Sequence, residues 1–150
     1  MSCKHLLSEL IQIRAETRPR NIFAKVPRNN DYANGYRMVT NSALMTAVDH
    51  VAGLITSTFG PSKDFQRIAY LGLHDLRYTI VVLAGIKTGY TMFLSSPRNS
   101  EEAHAALLSS LDCSKLITTS PAPAGVAFVQ SITSEKLILP TLDERLDFGP

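Results

Sequence analysis

Four histidines, two cysteines and a scatter of carboxylates and arginines are the residues of this 150-residue chain that could do chemistry. A metal site needs ligands at short, regular spacing. His5, His50, His74 and His104 never stand at i, i+4 on a helix face, and none has a Cys or second His at ligand distance. No metal set is read. Nucleophilic catalysis needs a GxSxG elbow or a Cys with a placed His. Neither Cys3 nor Cys113 has one, and Cys113 reads as a small apolar filler at a helix end. Glu101 and Glu102 could be an acid/base pair, but adjacent helix positions point apart. They read as carboxylates complementing a helix N-terminus. Arg77 and Arg98 could take a carboxylate or phosphate; ordinary surface ion pairing is the reading adopted.

One place stands out by topology. His74-Asp75 follows the strand candidate 67–72, where parallel sheets put their ligands. His74 could face a substrate or move a proton there, with Asp75 and Arg98 beside the same cleft. The plainer reading is an exposed loop histidine and a helix-capping aspartate. A phosphate loop is excluded, because Gly72-Leu73-His74-Asp75 holds one glycine and its carboxylate would repel a phosphate. By spacing alone no catalytic, cofactor-binding or metal residue is assigned.

The elements that would position these residues follow from periodicity. Leu6, Leu7, Leu10, Ile11 and Arg14 have helical spacing with one apolar stripe, ended at Arg18-Pro19-Arg20. Residues 22–26 read as a strand stopped by Pro27. The Asn- and Gly-rich turn 28–35 leads to a second strand, 36–39, so a hairpin is expected. Thr40 or Asn41 caps the clearest helix, with Leu44, Ala47, Val48, Val51, Ala52, Ile55 and Phe59 on one continuous face. Gly60-Pro61 ends it. Then come strand 67–72, a helix 76–88 capped by Asp75 and stopped by Gly89, and strand 90–95. A helix capped by Asn99 or Ser100 follows, with Ala103, Ala106, Leu107 and Leu111 as its buried stripe. Strand 115–119 comes next. Residues 120–125 read as a loop, 137–139 as a last strand and 143–146 as a helical turn. The strand centres Ile68, Met92 and Ile117 are evenly spaced with a helix in each gap. Such an alternation predicts parallel pairing with right-handed crossovers. The fold class is therefore α/β, with a parallel βαβαβ unit at 67–119 preceded by a helix and a β-hairpin.

Composition bounds the rest. The length suits one domain or part of one. Hydrophobic residues make up 45% and charged residues 19%, enough apolar surface for a core and too little charge for a disordered tail. The formal charge is +2, from 15 basic against 13 acidic residues. No basic run stands out, which argues against nucleic acid or an anionic membrane as a partner. Two distant cysteines are no disulfide framework. No apolar run reaches the roughly 20 residues of a membrane span, and the N-terminus shows no signal peptide. A cytoplasmic protein is expected.

Several segments, in order, resemble the N-terminal subdomain of adenylate-forming (AMP-binding) enzymes, above all the adenylation domains of fungal NRPS-like carboxylic acid reductases. They are Tyr36-Arg37-Met38-Val39-Thr40 entering the long helix, and Arg67-Ile68-Ala69-Tyr70-Leu71-Gly72 followed by Asp75-Leu76-Arg77-Tyr78. Leu83-Ala84-Gly85-Ile86-Lys87-Thr88-Gly89-Tyr90, Ser95-Ser96-Pro97-Arg98-Asn99-Ser100 and Leu111-Asp112-Cys113 continue the series. Leu139-Pro140-Thr141-Leu142-Asp143-Glu144-Arg145-Leu146 resembles the segment before that family's nucleotide loop.

The resemblance implies carboxylate activation to an acyl-adenylate with ATP and Mg²⁺. Yet the family's Ser/Thr/Gly-rich loop ending in Pro-Lys is missing from these 150 residues. Thr118-Thr119-Ser120-Pro121-Ala122-Pro123-Ala124-Gly125 lacks its glycines and lysine. The later adenine, ribose and lid motifs are missing too, so no functional residue of the family transfers to a position here. The expectation is a partial adenylation domain over 1–150 with no second domain. It would be a truncated protein of fungal secondary metabolism that binds no cofactor alone and does not adenylate by itself. The alternatives are a scaffold partner of a biosynthetic enzyme, or a small isomerase or cyclase in the same pathway. Self-association or a complex through an uncovered sheet edge is the expected partnership.

Overall fold

The computed structural model describes residues 7–28 and 31–141. Cys3, His5, Asn29, Asn30 and the helical turn expected at 143–146 lie outside them.

Helix α1 (Leu7–Thr17) leads to strand β1 (Ile22–Pro27), which pairs antiparallel with β2 (Tyr36–Thr40). The hairpin is as expected, except that Pro27 is the last paired residue of β1, opposite Tyr36, rather than its stop. The Thr40 hydroxyl accepts from the Ala43 N–H and starts α2 (Asn41–Phe59). All seven residues of the expected apolar face of α2 are buried. Each such burial contributes about 1.5–3 kcal/mol for a large aliphatic side chain.

The second sheet is built from β3 (Arg67–Leu71), β4 (Thr91–Leu94), β5 (Lys115–Thr119) and β6 (Glu135–Leu139). Its strand order is β4-β3-β5-β6 and all three pairings are parallel. Between the strands run α3 (Leu76–Lys87), α4 (Glu101–Ser110) and α5 (Val126–Ile132). The chain turns sharply out of α3 at Gly89, whose φ of 80° favours a residue without Cβ.

Two apolar cores sandwich the sheet. One face, with Ile68, Tyr70 and Ile117, packs on α2 and α3 through Leu44, Val51, Ile55 and Ile80. The opposite face, with Ala69, Leu71 and Leu116, packs on α4 and α5 through Leu108, Val126 and Val129. Alternation along each strand feeds both cores, as a doubly covered parallel sheet requires.

Three expectations change. Between the loop 120–125 and the last strand, where no element is expected from the sequence, α5 carries the chain back for β6. That strand is longer than expected, starting at Glu135. The inward face of α4 is His104 and Leu108, while Ala106 and Leu107 are exposed. The stripe was offset because a histidine holds a core position. Finally, α1 buries no residue fully. Ile11 packs against the core, but Leu7, Leu10 and Ile13 remain exposed.

Candidate functional site

In a doubly wound sheet the ligand crevice opens where neighbouring strands send their connections to opposite faces. Here that point lies between β3 and β5: the chain leaves β3 into α3 on one face and leaves β5 into α5 on the other. The residues at the crevice are Gly72 and Leu73 on one side and Thr119, Ser120 and Pro121 on the other.

Their own hydrogen bonds close it. The Leu73 N–H donates to Thr119 Oγ1 at 3.1 Å, and that hydroxyl donates to the Pro121 carbonyl at 2.9 Å. Tyr70 donates its phenol to the Leu73 carbonyl at 2.9 Å. Gly72 is pinned in the middle: a Cβ there would meet Tyr70 Oη at 2.5 Å and Thr119 Cγ2 at 2.7 Å. Burial, and then the nearby Asp75 charge, push the Tyr70 phenol far above its usual range. It is a fixed neutral donor and no base.

Arg77 seals the same end of the sheet. It is fully buried, which corrects the expectation of a surface ion pair. Its NH2 and Nε bind the Asp75 carboxylate at 2.7 and 3.1 Å. Its NH1 donates to the carbonyls of Ser120 at 2.9 Å and Pro140 at 2.7 Å. A planar fork satisfies such a set where a lysine could not. Asp75 also accepts from the Arg77 N–H at 2.9 Å, so one carboxylate is both helix cap and counterion. An arginine committed to two strand ends has little left to offer a phosphate.

His74 stands just outside this closed point. It is exposed and stacks on Tyr78, with ring centroids 5.4 Å apart and planes inclined by 27°. It lines a hollow of about 400 Å³ together with Val26, Pro27, Tyr32, Leu73, Asp75 and Leu76. Arg98 is not in that lining, so the three residues grouped from sequence are not brought together. Asp75 is committed to Arg77 and is not the acid/base partner of His74.

The remaining candidates have structural roles. Cys113 is buried, and burial raises its thiol above the ordinary value. Ser100 accepts from the Ala103 N–H and caps α4. Its hydroxyl adds to the backbone N–H of Glu102 in holding the exposed Glu102 carboxyl below the usual range. No group of His, Cys, Asp and Glu able to hold a metal occurs among the described residues. No helix among them is long and apolar enough to cross a membrane.

One buried group was missed from sequence. His104 is 2% exposed, its Nδ1 lies 3.0 Å from Ser95 Oγ, and its Nε2 has no partner among the described residues. The signal that could have found it is its position one turn before Leu108 on the inward face.

No protein-family model matches the chain. Among curated proteins it is 30% identical over 116 residues to a carboxylic acid reductase of Neurospora crassa, covering 76% of this chain and 11% of the reductase. It is 29% identical over 147 residues to the isocyanide synthase-NRPS hybrid crmA of Aspergillus fumigatus, covering 96% of this chain and 10% of the hybrid. The chain thus spans about a tenth of the length of these relatives. Among solved structures, it matches a Mycobacterium tuberculosis fatty acyl CoA synthetase with a TM-score of 0.70 at 17% identity, over 93% of this chain and 27% of that one. It matches O-succinylbenzoate coenzyme A synthetase of Bacillus subtilis, solved with ATP and magnesium, with a TM-score of 0.70 at 17% identity, over 91% of this chain and 33% of that one. These solved relatives are adenylate-forming enzymes, and the fold is that of their N-terminal domains.

Proposed function

We propose, on the premise that the chain is homologous to the N-terminal part of an adenylate-forming domain of fungal NRPS-like type, that it is a structural portion of such a domain. In this reading the 150 residues do not adenylate a carboxylate alone. The complete domain would use ATP and Mg²⁺, in a cytoplasmic pathway of secondary metabolism. The observation that carries this reading is the closed crevice between β3 and β5. The switch point between the two strands is bridged by Thr119, Tyr70 and the Arg77–Asp75 pair, and the hollow beside it is lined by an Asp75 already bound to Arg77. The test is ATP–pyrophosphate exchange by the purified 150-residue chain across aromatic, aliphatic and amino acids. Background rates are expected with every acid, and exchange clearly above background with any of them overturns the reading.

The sheet edge supports a second reading, a binding role. Strand β6 pairs only with β5 among the described residues, and Ile138 on it is 56% exposed. An unpaired edge with an apolar face invites another chain. The same strand would seat a second copy or a biosynthetic enzyme.

A further inference from the structure

The positive charge of this protein is concentrated at one end. Residues 7–28 carry Arg14, Arg18, Arg20, Lys25 and Arg28 against Glu9 and Glu16, a balance of +3 where the whole chain has +2. The rest of the chain is therefore slightly acidic. Folding brings the dispersed arginines beside apolar side chains. Arg14, in the last turn of α1, and Arg18, just beyond its end, lie one helical turn apart, and the start of β1 contributes to the same hollow. Together with Asn21, Ile22, Phe23 and Asn41 they line a shallow hollow of about 330 Å³. Ile22 is 51% exposed and Phe23 is 38% exposed. Asn41 is already used, since its side-chain amide donates to the Arg18 carbonyl at 3.0 Å. Neither Arg14 nor Arg18 makes an ion pair with another described residue. On its far side β1 has no strand partner among the described residues, because it pairs with β2 alone.

We propose that this α1–β1 hollow docks an acidic segment of a partner protein. An apolar side chain of the segment would sit on Ile22 and Phe23, and its carboxylates would pair with Arg14 and Arg18. Charge complementarity selects this occupant. A second copy would bring arginine against arginine, whereas guanidinium forks pair geometrically with carboxylates. Exposed aromatic and arginine side chains together are also the pairing that anchors protein interfaces. This surface lies apart from strand β6, so the proposal does not depend on the partnership proposed above.

The test is fluorescence anisotropy of the full 150-residue chain with a labelled ten-residue peptide alternating Glu with Leu and Phe. A control peptide carries Lys in place of Glu. Saturable binding of the acidic peptide is expected, weakening as salt rises. The exposed double substitution Arg14→Glu/Arg18→Glu should weaken it at least about tenfold and bring in the Lys peptide instead. Phe23→Ala should weaken the acidic peptide without changing its salt dependence. A circular-dichroism melt confirms that each variant is folded. Equal affinity for both peptides, or an acidic-peptide affinity that ignores the arginine reversal, overturns the proposal. So does co-flotation with phosphatidylserine vesicles in the absence of peptide binding, which would assign the surface to a membrane.

Discussion

Arg77 shows how one residue can be legible in kind and illegible in role. Its position at the start of a helix and its neighbour Asp75 are plain in the sequence. That the guanidinium is swallowed, and that it ties Ser120 and Pro140 together, depends on residues 43 and 63 positions away. Breaking a buried pair from one side strands the other charge. Arg77→Ala is therefore expected to cost about 3–5 kcal/mol in urea unfolding, a large share of the roughly 5–15 kcal/mol available to a domain. Adding Asp75→Asn to that variant should recover part of the loss, since no bare carboxylate then remains. Asp75 as a cap was readable because capping is local, and so was Cys113 as filler.

Tyr70 and Cys113 also make a prediction about pH. Both are held neutral by burial, with folded values raised above the ordinary 10.0 and 9.0. The unfolded chain releases these protons first as pH rises, so the folded state then binds more protons than the unfolded one. Stability falls with pH in that situation. Their contribution is complete below pH 9 and is lost as pH climbs through the unfolded values toward the folded ones. Unfolding free energy measured between pH 7 and 10.5 should decline above pH 9. Tyr70→Phe should decline less steeply, after an initial loss of about 1 kcal/mol for the missing hydrogen bond.

At the scale of elements, long periodic segments were readable and short ones were not. Helix α2 buries its whole expected face because nineteen residues give the 3.6-residue period room to declare itself. Helix α5 has seven residues and no side-chain cap, since Gly125 precedes it in a left-handed conformation. Neither periodicity nor capping could signal it. In α4 the cap was readable but the inward face was not, because His104 holds a core position that a polarity pattern assigns to solvent. Two substitutions test these elements. Ser100→Ala should cost about 1 kcal/mol by leaving the α4 N-terminus uncapped. Gly72→Ala should cost about 1–3 kcal/mol, because a methyl group there collides with Tyr70 and Thr119 at the exit of β3. Thermal melts of the two variants against the parent check both, and Gly72→Ala should be the larger loss.

For the whole molecule the decisive feature is a sheet covered on both faces whose two edges, β4 and β6, have no outer partner among the described residues; β6 carries the exposed Ile138. If that edge seats another chain, sedimentation velocity should show association that grows with concentration or on adding a partner enzyme. Ile138→Lys should then return the chain to a monomer while leaving its melting temperature within a few degrees. A parent chain that stays monomeric at high concentration and captures no biosynthetic enzyme would count against the partnership. The sequence by itself determined the α/β class, the hairpin, the parallel strands and the likeness to adenylate-forming domains. All of these rest on local period, capping and the order of short segments along the chain. Only the tertiary structure decided that β3 sits between β4 and β5, that the switch point between β3 and β5 is bridged by hydrogen bonds, and that Arg14 and Arg18 line one hollow with Phe23. The physical reason is that strand order, charge burial and surface hollows are set by contacts between distant residues, which no spacing along the chain encodes.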